Sequence, residues 1–193
     1  MTNLNSTPEE IEMLYHCNYG PPFLEEGSKL VAPVKRASPR DRRARENVTT
    51  MSEFCGPTNG YVEQVYFYEL LGDSTGESKV MLRNKAGNLG TSMIFSLEQM
   101  PCFSLWKNTA SLKNGYVTGL EPGSNFPNPK RFERENGRVV LLEPLQSRKY
   151  KLSLEVQVGS DAVREVEREI NQLQGSTSPE ILEFAPEHLS AAT

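Results

Sequence analysis

Tyr150-Lys151-Leu152-Ser153-Leu154-Glu155-Val156-Gln157-Val158 is the stretch whose reading decides the fold class. In an extended chain Tyr150, Leu152, Leu154, Val156 and Val158 fall on one face, while Lys151, Ser153, Glu155 and Gln157 fall on the other. That period of two is the pattern of a half-buried strand. Similar or more fully apolar runs precede it at 10–18, 61–70, 78–83, 89–96, 101–107, 115–121 and 137–143. Turn signals separate them, among them Gly72-Asp73, Lys113-Asn114-Gly115, Asn136-Gly137 and Glu143-Pro144. Many short strands punctuated in this way predict an all-β fold, an antiparallel β-sandwich.

Beyond Val158 the period changes. Ser160 or Asp161 is placed to cap a helix whose face carries Val163, Val166, Ile170 and Leu173, and Gly175 is placed to end it. The expected organisation is a sandwich over 1–158, a helix over 159–175 and a flexible, Ser/Thr/Pro/Glu-rich tail over 176–193. The segment from Pro21 to Gly60 is rich in proline and charge and reads mostly as loop.

Composition narrows the function. A net charge of -4 and a pI of 5.4 speak against nucleic-acid binding. Lys35, Arg36, Arg40, Arg42, Arg43 and Arg45 form a local basic run, but acidic residues break it and no aromatics interleave, so it reads as a solvated loop. No apolar run approaches the ~18–20 residues that span a bilayer. The N-terminus is polar and acidic, unlike a secretory signal. Cys17, Cys55 and Cys102 form no C-x-x-C pair, which with the missing signal predicts reduced thiols and a cytoplasmic location. Two histidines, His16 and His188, are too few for a multi-histidine metal centre.

Two segments carry groups fit for chemistry. His16 ends the first strand, pointing away from Cys17, and imidazole exchanges protons near neutrality. Glu121 ends another strand before Pro122-Gly123, a place where a carboxylate can be aimed into a cleft. Asn125 and Asn128 supply amides in a proline-stiffened loop, suited to sugar hydroxyls, which both donate and accept. Glu63, Trp106 and Lys107 could line the same cleft, the indole stacking on a sugar ring and the charges binding hydroxyls. Each of these residues is also consistent with simple packing or a turn.

Taken together, Leu14-Tyr15-His16-Cys17-Asn18-Tyr19-Gly20 and Tyr116-Val117-Thr118-Gly119-Leu120-Glu121, followed by Asn125-Phe126-Pro127-Asn128, resemble the motifs of the galactose mutarotase (aldose 1-epimerase) superfamily. Tyr61 to Leu70 and Pro101 to Asn108 resemble its less characterised, aldose-1-epimerase-like branch. The resemblance covers roughly residues 2–158 and only the C-terminal half of the family's pattern. It implies a β-supersandwich that binds a free sugar, with Glu121 as general base and His16 as general acid; Asn18, Glu63, Trp106, Lys107 and Asn125 are expected to contact the substrate. It implies no cofactor and no metal. The alternatives are a non-catalytic carbohydrate-binding module, a truncated and inactive epimerase half, and a structural sandwich. A half-length sandwich exposes sheet edges, which invites a homodimer.

Overall fold

The computed structural model describes residues 1–192; Thr193, the last residue of the expected tail, lies outside them. The strands and helices, in chain order, are β1 (Glu9–Ile11), β2 (Cys17–Tyr19), β3 (Lys29–Val31), β4 (Val34–Pro39), α1 (Arg42–Arg45), β5 (Gln64–Leu70), β6 (Glu77–Arg83), β7 (Leu89–Ser96), β8 (Cys102–Asn108), β9 (Val117–Gly123), α2 (Lys130–Glu135), β10 (Val140–Leu142), β11 (Leu152–Val158), α3 (Ser160–Gln174) and β12 (Glu180–Ile181). They build a four-stranded sheet, β11-β7-β6-β3, a six-stranded sheet, β12-β4-β5-β8-β9-β2, and a small β1-β10 pair. Pairing is antiparallel except that β12 runs parallel to β4. The β-sandwich expected from the period-two pattern is the fold of the chain.

Alternation decides which side chains meet between the sheets. Tyr66 and Tyr68 of β5, Phe103 and Leu105 of β8 and Leu120 of β9 pack in one core with Val80 and Leu82 of β6 and Met93 and Phe95 of β7. The intervening residues face outward. On the four-stranded sheet Met81 lies on the outer face, where Val163, Val166 and Ile170 of α3 cover it. Lys79 and Arg83, also on that face, pair with Glu169 and Glu167 of the helix. The N-cap of α3 is Gly159 rather than Ser160 or Asp161.

Two expectations need correction and a third needs extending. The run 10–18 forms two strands, β1 and β2, because β1 leaves the sheet edge to pair with β10. The segment 21–60 is loop over most of its length, as expected, yet it also supplies β3, β4 and α1, and buries Leu24, Leu30, Ala37, Ala44, Met51 and Phe54 in the main core. The tail is docked, not loose: β12 pairs with β4, Leu189 is buried with Val65, Phe67 and Phe126, and Ser190 Oγ donates to the Arg40 carbonyl.

Candidate functional site

Register on the six-stranded sheet assembles the site. Ser104 lies opposite Glu121, Trp106 opposite Gly119, and Asn18 opposite Gly119 from the other side. Leu14 bridges to Gly123, so His16 falls opposite Glu121. Directly paired residues share a face. His16, Asn18, Glu121, Ser104 and Trp106 therefore stand together on the outer face, away from the core. Part of that face is roofed by Phe126 and Leu189. The part around His16 is open.

His16 Nε2 lies 3.0 Å from Glu121 Oε1, with the imidazole half exposed and the carboxylate nearly buried. Oε1 is off the line of the imidazole N–H and takes no aligned hydrogen bond. Burial raises the Glu121 carboxyl to about 7, against the opposing pull of His16 and Arg40 and with a further push from Glu63. Such a carboxyl can hold or release a proton near neutrality. The Trp106 ring meets the imidazole edge-on at 5.6 Å, and its Nε1 donates to Glu63 Oε2 at 2.8 Å. Arg40 Nη2 stands 3.8 Å from the other oxygen of Glu63 and 2.8 Å from Asp41.

Gly119 is the floor on which these groups converge. A Cβ there would fall 2.5 Å from Glu121 Oε1, 3.1 Å from His16 Cε1 and 3.3 Å from Trp106 Cε3. Glycine within a strand often marks such a close approach. Glu121 is not at the strand's end, since β9 continues through Pro122, whose carbonyl accepts from Tyr15 N, to Gly123.

The expected site residues divide. His16, Glu121, Trp106, Glu63 and the exposed Asn18 share the open face. Lys107 does not: alternation along β8 turns it to the inner side, where its ammonium donates to the carbonyls of Met51 and Glu53 and lies over Phe54. Asn125 is buried, its amide donating to Glu12 and to the Phe126 carbonyl, so it braces the loop after β9. That loop is further fixed by buried Glu133, which accepts from Asn128, Phe126 N and Arg138. Arg40 was hidden in the basic run, and only its register beside β5 brings it to the site. Of the rest of that run, Lys35 pairs with Glu69, Arg36 with Glu69 and Glu180, Arg43 with Glu46 and Arg45 with Glu183. Among the described residues there is no group of three or more His, Cys, Asp or Glu side chains placed to hold a metal ion. None of the described helices is long and apolar enough to cross a membrane.

A crystal structure described as that of "a putative aldose 1-epimerase from Klebsiella pneumoniae subsp. pneumoniae" superimposes with a TM-score of 0.92 at 35% sequence identity, over 96% of this chain. The chain spans 49% of that protein's length. No curated protein matches the sequence. Residues 1–156 match a family described as a domain of unknown function (DUF4432). With its β-sandwich and its structural neighbour, the chain belongs to the DUF4432 family, in the aldose 1-epimerase-like superfamily.

Proposed function

We propose that this chain binds a free aldose, or a derivative of one, on the open face of the six-stranded sheet and interconverts its α and β anomers. The observation that carries the reading is the His16–Glu121 couple, an exposed imidazole against a buried carboxylate raised to about 7. The ionised Glu121 takes the proton of the anomeric hydroxyl. The bond from C1 to the ring oxygen breaks, and its electron pair stays on that oxygen, which takes a proton from protonated His16. Rotation about C1–C2 presents the other face of the aldehyde. Closure then returns one proton from the ring-forming hydroxyl to His16 and one from Glu121 to the new anomeric oxygen. The arithmetic balances with no external acid, base or oxidant. Trp106 offers a surface for the C–H face of the sugar, and Asn18 and Glu63 offer hydroxyl partners. Because the match covers about half of the neighbour, the reading concerns the residues of this chain alone.

Exchange spectroscopy on a panel of aldoses tests it. Anomer exchange should be enhanced by the protein and fall by roughly 10²–10⁴-fold in Glu121→Gln and in His16→Asn, the range for loss of a positioned acid or base. Enhancement untouched by both variants would remove these residues from the mechanism. Chemical-shift changes for one sugar without faster exchange would select the binding module instead.

A further inference from the structure

A continuous line of contacts, polar as far as Trp106 and aromatic from there, runs from the start of α1 to the acid–base couple. Asp41 caps that helix, its Oδ1 accepting from Ala44 N at 2.9 Å, while its Oδ2 accepts from Arg40 Nε at 2.9 Å and Nη2 at 2.8 Å. The Arg40 backbone is fixed on both sides, its N–H donating to the Val65 carbonyl and its carbonyl accepting from Ser190 Oγ. The guanidinium, thus anchored, reaches Glu63 Oε1 at 3.8 Å. Glu63 lies just before β5 and is exposed, with no sheet register of its own to hold it. Its other oxygen accepts from the Trp106 indole, and the indole edge meets His16.

We propose that Arg40 and Glu63 are a positioning pair which holds the Trp106 indole against His16 and so fixes the imidazole over Glu121. An indole on an open sheet face has several rotamers available, and an N–H donated to an ionised carboxylate selects one. Glu63 in turn needs a fixed cation to stay aimed at the indole. Neither Arg40 nor Glu63 touches the reacting proton in this arrangement; both position His16 through Trp106. The charged and titratable groups bearing on the couple are Arg40, Glu63 and Asp41 from the β4–α1 and β5 side, with Cys17 on the residue next to His16. Arg40 is a positive charge near Glu121, so its loss also favours the neutral carboxyl. The kinetic part rests on the anomer-exchange reading; the positional part does not.

Trp106 is the sole tryptophan, which makes the test independent of any substrate. Arg40→Met, Arg40→Lys and Glu63→Gln are compared with the parent by tryptophan emission, acrylamide quenching and a pH titration of the emission, with circular dichroism to establish folding. Arg40→Met should red-shift the emission, raise quenching and move the titration midpoint up by ~0.5–1 unit, as removal of one nearby cation does. Arg40→Lys should restore the midpoint more than the emission, since it returns the charge without the fork. In anomer exchange, Arg40→Met should lower kcat roughly tenfold with KM within about twofold, the pattern of lost orientation. Emission, quenching and midpoint all equal to the parent's in folded Arg40→Met and Glu63→Gln would overturn the proposal. If the parent shows no anomer exchange, the functional reading fails while the fluorescence arms still decide the positioning pair.

Discussion

Between Glu121 and Gly119, two positions apart on one strand, the site sets both its geometry and its charge. Gly119→Ala would drive a methyl group into the carboxylate, the imidazole and the indole at once. The expected result is a loss of about 10²-fold in anomer exchange, as for a catalytic group displaced by ~1 Å, with a smaller cost of ~1–3 kcal/mol in urea unfolding. A variant with parental exchange would mean that the three groups need not converge. Glu121 adds a pH signature. Its carboxyl sits at about 7 in the folded chain against an ordinary 4.5, so the unfolded chain releases this proton first. Between those values the folded state holds more protons, and stability falls as pH rises, by roughly 1 kcal/mol per unit at most, levelling off above about 7. Urea unfolding at pH 4.5, 6 and 8 should show this slope in the parent and lose it in Glu121→Gln. The same ionisation predicts that anomer exchange climbs through about pH 7 on its acid side, as an apparent value of the His16–Glu121 pair.

Along β8 the alternation of side chains separates function from packing. Ser104 and Trp106 face the site, whereas Phe103, Leu105 and Lys107 face the core. Burial lowers the Lys107 ammonium to about 8 from an ordinary 10.5. The unfolded chain keeps that proton over the interval, so stability rises from about pH 8 to 10.5 as the buried charge is given up. Lys107→Met should abolish this rise in urea unfolding and leave anomer exchange within about twofold, since packing residues away from a site rarely alter its chemistry. A collapse of exchange in a folded variant would return Lys107 to the site. The case shows what the sequence makes legible. The two-residue period of β5 through β9 and of β11 can be read directly, and with it the pairing of His16 and Glu121 by motif. Which face of β8 meets the sugar depends on its neighbours' register, so Lys107 and Trp106, adjacent in sequence, look equally eligible. The same holds for 21–60, where Leu30, Ala37, Met51 and Phe54 enter the core from short stretches broken by proline and charged residues, without a sustained period. Arg40 is likewise indistinguishable from its basic neighbours until β4 is laid beside β5.

The sandwich as a whole is unevenly closed. β11 is an edge strand bonded only to β7, and Leu154 and Val156 share a face with their core partners Met93 and Thr91. Met93 is fully buried, yet Leu154, Val156 and Val158 are 55%, 62% and 75% exposed. The inner face of the four-stranded sheet therefore runs out past the last residues of the facing sheet, and the strongest strand signal in the sequence belongs to a strand with half of its expected partners. A long apolar edge of this kind is a template for association with another strand. Lys151, just before β11, and Glu155 within it carry opposite charges, so two copies of the segment aligned antiparallel about Ser153 would bring each Lys151 opposite a Glu155 and each Leu152 opposite a Leu154. The expectation is self-association that grows with protein concentration in analytical ultracentrifugation. The double substitution Leu154→Lys and Val156→Lys should abolish it, while changing stability by no more than about 1 kcal/mol because both side chains are already in water. Anomer exchange should persist, since His16 and Glu121 stand on the outer face of the opposite sheet. A parent that stays monomeric at its highest attainable concentration, or a double variant that associates as the parent does, would show that β11 is not the contact.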